Sequence, residues 1–95
     1  MAAIQTPWGP AEYMDTLAPG IVFYASNSHG GFHLSPDRLE KIDPRARAFA
    51  AKWSHGFGDA WFEEDCAWSA VAIAFPQYFQ PSQVEAAFRI SARFI

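Results

Sequence analysis

Ninety-five residues leave room for one domain, at roughly 100–200 residues per domain, and 51% hydrophobic with 17% aromatic residues is enough apolar surface to exclude a disordered chain. Seven Lys and Arg against ten Asp and Glu give a net charge of −3, which argues against nucleic-acid binding through a dominant basic surface. One Cys excludes an internal disulfide, and no apolar run reaches the roughly 18 residues of a membrane span.

Met1-Ala2-Ala3-Ile4-Gln5 opens no charged-then-apolar signal, so a cytoplasmic domain spanning 1–95 is expected. Thr6-Pro7-Trp8-Gly9-Pro10 is too rich in Pro and Gly for a helix or a central strand. Ala11 to Leu17 reads as one weak helical turn, broken by Ala18-Pro19-Gly20. Ile21 to Ala25 is β-branched and aromatic, a short strand. After the loop from Ser26 to Gly31, Phe32-His33-Leu34 alternates apolar and polar, so 21–34 reads as a β-hairpin.

Ser35-Pro36 marks a helix start, Ser as the cap and Pro at the first helical position, and predicts a helix over 36–42 with Leu39 and Ile42 inward. Asp43-Pro44 repeats the device, so a second helix is expected over 44–53, where Ala46, Phe49, Ala50 and Trp53 sit at amphipathic spacing. Ser54-His55-Gly56-Phe57-Gly58 ends it. Asp59 then caps a helix over 61–75, stopped by Pro76. Between Cys66 and Phe75 only Ser69 is polar, the mark of a helix buried on every side. Ser82-Gln83-Val84-Glu85 reads as a capping box opening a helix over 82–94, its stripe made of Val84, Ala87, Phe88 and Ile95. The expected fold is α+β: a short antiparallel hairpin packed on three to four helices around a buried central helix. Its core should centre on Phe23, Phe32, Leu34, Phe49, Trp68, Ala72, Phe75 and Phe88.

Glu63-Glu64-Asp65 is the strongest local oddity. Acids near a helix N-terminus complement its dipole. A sharper reading places Glu64 or Asp65 beneath the rings of Trp61 and Trp68, on the amides of Ser28, His29, Gly30 and Gly31. Glu63 and Asp59 point outward on the helical wheel, as an acidic knob for a partner. Cys66 follows three carboxylates that disfavour a thiolate, so it reads as a core thiol. His29, His33 and His55 with an acid make a zinc site conceivable, but no ligand-spacing pattern supports one, and no metal or cofactor is expected. Gly30-Gly31 lacks the surroundings of a phosphate cradle. Five of the seven basic residues, Arg38, Lys41, Arg45, Arg47 and Lys52, interleave with acids as a solvated helix surface. Their separation from Asp59 and Glu63 to Asp65 suits electrostatic matching to a protein partner.

Two stretches together carry a resemblance. Thr6-Pro7-Trp8-Gly9-Pro10, Ala18-Pro19-Gly20-Ile21, Ser28-His29-Gly30-Gly31 and Leu34-Ser35 form the first. Trp61-Phe62-Glu63-Glu64-Asp65-Cys66-Ala67-Trp68 with Phe75-Pro76 forms the second. Over roughly residues 6–79 they resemble a family of uncharacterised small domains encoded by bacterial plasmids and phages, sometimes near antirestriction genes. Ala67 stands where that family has Asp, and His33 where Lys is common. The resemblance implies a mobile-element setting and no catalytic residues. In that setting small acidic domains work by occupying a host machine, through one interface of standard size.

Three functions follow as expectations. The first is a non-enzymatic inhibitor of a host defence complex, a CRISPR effector or restriction enzyme, binding through Asp59, Glu63, Glu64, Arg45 and Arg47. There His29, Gly30, Gly31, Trp61, Asp65 and Trp68 serve as structural motif residues. The second is a small hydrolase or metal-dependent enzyme using His29, His33 and Asp65. The third is an accessory interaction domain of plasmid proteins. No direct nucleic-acid or membrane contact is expected, and homodimerisation stays open.

Overall fold

A computed structural model describes residues 3–95; Met1 and Ala2, part of the opening stretch read for a signal, lie outside the described residues. The expected hairpin is its centre. Strand β4 (Ile21–Ala25) pairs antiparallel with β5 (Gly30–Leu34), Phe23 opposite Phe32 and Tyr24 opposite Gly31. Ser26 closes the loop: its hydroxyl oxygen accepts from the amides of Ser28 and His29, each at 3.2 Å.

Two further strands extend the hairpin into a four-stranded antiparallel sheet, in the order β3-β4-β5-β6. Residues 11–17, expected as a weak helical turn, instead contribute most of β3 (Tyr13–Ala18). Pro19-Gly20 breaks a helix, yet with Gly20 at φ +83° it also reverses the chain tightly enough to set Ala18 opposite Ile21. Before β3, Gln5–Thr6 (β1) and Gly9–Pro10 (β2) form a two-stranded ribbon. Thr6 holds it closed, donating its hydroxyl to the Gly9 carbonyl at 2.7 Å and accepting from the Trp8 amide at 3.1 Å.

The second correction concerns 61–75. Trp61–Glu63 is a strand, β6, paired with β5 so that Trp61 faces His33 and Phe62 faces Phe32. All three residues are buried, so no apolar–polar alternation betrays the strand. The buried central helix exists only over its second half, α3 (Trp68–Ala74). The other helices lie close to expectation. They are α1 (Pro36–Leu39), α2 (Pro44–Lys52) and α4 (Pro81–Ser91), with a 3₁₀ turn at Pro76–Tyr78. Helix α4 opens one residue early. Its N-terminal reciprocity uses Gln80 and Gln83, the Gln80 amide donating to Gln83 Oε1 at 2.8 Å, rather than the expected Ser82 and Glu85.

The sheet buries one face on the helices. Ile21, Phe32, Leu34 and Phe62 meet Ala67, Ala70, Val71 and Phe75 around α3, with Ile42, Ala46 and Ala50 closing the end. Helix α3 carries Ser69, Ala70, Ala72 and Ala74 among its seven residues, and α4 packs on it with the fully buried Ala87. Phe88, its neighbour, is thereby turned outward and 60% exposed, which corrects its placement in the core. Phe23, Phe49 and Trp68 pack on the core at half-buried positions. Arg38, expected on a solvated surface, clamps the fold: its Nε donates to the Pro19 carbonyl at 3.0 Å and its guanidinium lies over the rings of Phe75 and Tyr78.

Candidate functional site

Strand β6 sends Trp61 and Glu63 to the sheet face away from α3. There Trp61 is the hub of an aromatic cluster, with ring centroids 4.6 Å from His33, 5.6 Å from Tyr24, 6.0 Å from Trp8 and 6.3 Å from Phe57. The cluster explains Gly31, and the core face explains Gly30. A Cβ on Gly31 would collide with the Trp8 indole and lie 2.6 Å from the Phe62 carbonyl oxygen; one on Gly30 would lie 2.7 Å from the Phe23 ring. Burial beside Trp61 holds the His33 imidazole below its ordinary pKa, because the charged form loses solvation there.

Glu63 ends the strand, and its position contradicts the outward-pointing reading. The residue is 9% exposed, and its carboxylate accepts three backbone amides: Asp65 at 2.8 Å, Cys66 at 2.8 Å and Ala67 at 2.6 Å. It caps the turn into α3 from before the helix, so the acids do not sit in a helical first turn. Glu64 takes the expected role on the Gly-Gly loop. Its Oε2 accepts from the Gly30 amide at 2.9 Å, while its own amide donates to the Gly30 carbonyl at 2.9 Å. Asp65, the other candidate for that role, is exposed. Trp68 is not above these acids at all. It packs on Phe79, which meets Phe32 on the opposite face of the sheet.

The remaining expected contact residues are engaged in ion pairs. Arg47 reaches from α2 to Asp59, Nε and Nη2 at 3.0 Å and 2.9 Å from Oδ2, and ties that helix to the segment before β6. Arg45 makes a two-pronged pair with the α2 cap Asp43, at 3.1 Å and 2.8 Å, and those hydrogen bonds pull the Asp43 carboxyl down to about 2. Cys66 is half-buried, its sulfur 4.0 Å from Arg93 Nη1.

One cleft of about 280 Å³ gathers His29, Gly30, Glu63, Glu64 and Asp65 with three residues from elsewhere, Trp8, Trp53 and His55. His29 Nδ1 stands 3.6 Å from Glu64 Oε2, with both side chains largely in solvent. His33 does not line the cleft. Among the described residues no three His, Cys, Asp or Glu side chains are grouped to hold a metal ion. The spacing assigns Trp53 to a helix stripe; α2 stops one residue before it and leaves it 53% exposed. A signal for that departure lies in His55-Gly56-Phe57-Gly58, where three residues take positive φ: His55 at 50°, Gly56 at 85° and Gly58 at 93°. Trp8 enters the cleft from the β1–β2 ribbon, a ribbon that the Pro- and Gly-rich composition concealed.

The chain belongs to a family described as a domain of unknown function, DUF7007, whose model matches residues 1–94. No curated protein and no solved structure matches it.

Proposed function

We propose that this chain is a non-enzymatic protein-binding module that contacts its partner with the cleft between Trp8, Trp53, Glu64 and Asp65. One observation carries the reading: Trp53 stands 53% exposed in the same open cleft as the exposed acids Glu64 and Asp65. Trp is the residue type that most often dominates interface energetics, and carboxylates beside it favour an Arg or Lys on the facing surface. Glu63 supports the division of labour, since its carboxylate is occupied by three backbone amides and holds the cleft floor.

The resemblance to plasmid- and phage-encoded domains directs the search for that partner to host nucleic-acid-targeting defence complexes in the bacterial cytoplasm. A CRISPR effector or a restriction enzyme would be inhibited by occlusion of one of its surfaces, with no chemistry needed. The test is co-purification and plaquing in a host that carries such systems, using wild type, Trp53→Ala and Asp65→Lys. Asp65→Lys should melt like wild type, Trp53→Ala should stay folded with a modestly lower melt because its ring packs 6.3 Å from that of Phe49, and both should lose capture of the complex and protection of the phage. Full capture and protection by both variants would overturn this assignment of the surface.

A further inference from the structure

A strand at the end of a sheet leaves half its backbone groups without a neighbour, and proteins usually cover or blunt such edges. Here the two ends differ. Helix α2 packs beside β6, whereas β3 touches only β4 extensively, and Tyr13 and Met14 are 58% and 56% exposed, with Asp15 and Thr16 also open to solvent. Tyr13 to Thr16 contains no Pro and no Lys, and the irregularity that bends β3 comes after it, between Thr16 and Ala18.

A groove flanks this edge on each side. On one lies a groove of about 200 Å³ lined by Ile4, Glu12, Met14 and Tyr24. On the other lies a groove of about 510 Å³ between Asp15, Leu17 and Phe23 of the sheet and Phe79, Gln80 and Gln83 at the start of α4. An added strand points alternate side chains to opposite faces, so its residues would enter the two grooves in turn. Each groove carries one exposed carboxylate, Glu12 or Asp15, and neither is lined by Lys or Arg. A second copy of the chain suits the edge poorly, because its own edge over residues 12–16 brings the same two carboxylates and no Lys or Arg to pair with them, and like charges across neighbouring strands are destabilising.

We infer that the Tyr13–Thr16 edge of β3 docks an extended, Lys- or Arg-bearing segment of a partner protein as a fifth strand of the sheet. The site shares no residue with the Trp53 cleft and stands independently of the function proposed for that cleft.

Amide shifts of the isotopically labelled full chain, read by NMR, test this with three capped heptapeptides: alternating Lys and Val, alternating Glu and Val, and the Lys-Val peptide N-methylated at every residue. The Lys-Val peptide should shift amides over 12–18 and 77–83. The Glu-Val peptide should bind about fivefold more weakly, because alternation presents all its charges to one groove and exchanges a paired for a like charge at one carboxylate. N-methylation should abolish binding, because strand addition needs the peptide's own N–H groups. Asp15→Lys, folded as judged by its melt, should favour the Glu-Val peptide. Shifts at the Trp53 cleft instead, equal binding of the N-methylated peptide, an unchanged preference in Asp15→Lys, or no shift at millimolar peptide would each overturn the proposal. So would concentration-dependent dimers that shift the same amides without peptide.

Discussion

Replacing Glu63 by Ala tests whether its carboxylate is a structural cap. Three backbone amides donate to it within 2.6–2.8 Å, and the one from Ala67 is buried. In Glu63→Ala the amides of Asp65 and Cys66, partly exposed, can turn to water, so their loss is partial. The Ala67 amide cannot, and an orphaned buried donor costs about 1–3 kcal/mol. Loss of a negative charge before α3 adds about 0.3–1 kcal/mol, and loss of the side chain's own packing adds to that. The expected total is about 3 kcal/mol, a large share of the about 5–15 kcal/mol that holds such domains folded. At about 4–8 °C per kcal/mol for a domain of this size, thermal melts followed by far-UV circular dichroism should move down by about 12–24 °C. Glu63→Gln keeps one acceptor oxygen and the volume, and should lose roughly half as much. A Glu63→Ala protein melting within about 3 °C of wild type would refute the capping role and return Glu63 to the list of free surface acids.

Asp65→Ala should leave the melting temperature nearly unchanged, within about 0.5 kcal/mol, because its exposed carboxylate makes no hydrogen bond among the described residues. Glu64→Ala should cost about 0.5–1.5 kcal/mol through the Gly30 amide, so chemical denaturation of the two variants should rank them in that order. Gly31→Ala should destabilise by about 1–3 kcal/mol in the same assay, since its Cβ meets both the Trp8 ring and the Phe62 carbonyl oxygen. Burial lowers the His33 pKa below its ordinary 6.5, so between those two values the unfolded chain binds the proton more readily than the folded one. The His33 contribution is therefore complete above pH 6.5 and is lost as pH falls through the lower folded value. Melting temperature against pH should decline on that side in wild type and decline less in His33→Leu.

Local signals carried the parts of the fold that local energetics decide. Ser35-Pro36 and Asp43-Pro44 set their helix starts within one residue, because a capping oxygen and a proline act on the next few amides and nothing distant competes. Strand β6 failed that test. Trp61-Phe62-Glu63 becomes a strand only because β5 offers an edge to it, α3 covers its Phe62 face and the rings of Trp8, Tyr24 and Phe57 cover Trp61 on the other, none of which is written within the three residues. Strand β3 was hidden for a related reason. An edge strand facing solvent has little apolar alternation, and Tyr13 and Met14 are adjacent exposed residues rather than partners on one face. At the site, the link between Glu64 and the Gly-Gly loop was legible as a buried-donor problem. The register that made Glu63 the cap and Asp65 the free acid required knowing that β6 was a strand, since a helical wheel rotates each residue by 100° where a strand alternates by 180°.

The two sequence motifs that carry the resemblance thus meet at one joint. Gly31 pairs with Glu63 across β5 and β6, Gly30 exchanges two hydrogen bonds with Glu64, and Trp8 of the opening motif packs where Gly31 has no side chain. A glycine is needed because an indole occupies the space; the indole is held because Trp61 supports it; and Trp61 is placed by the strand whose last residue caps α3. Each member has a physical reason to be what it is before any ligand is considered. Selection for folding alone would then maintain Gly30-Gly31 and Trp61-Phe62-Glu63-Glu64. Function must be sought in residues that this joint exposes without using. Asp65 and Trp53 at the cleft, and Tyr13 to Thr16 on the open edge, meet that condition, since each stands in solvent and its side chain makes no hydrogen bond among the described residues. Their substitution should separate binding from stability, where substitution within the joint cannot.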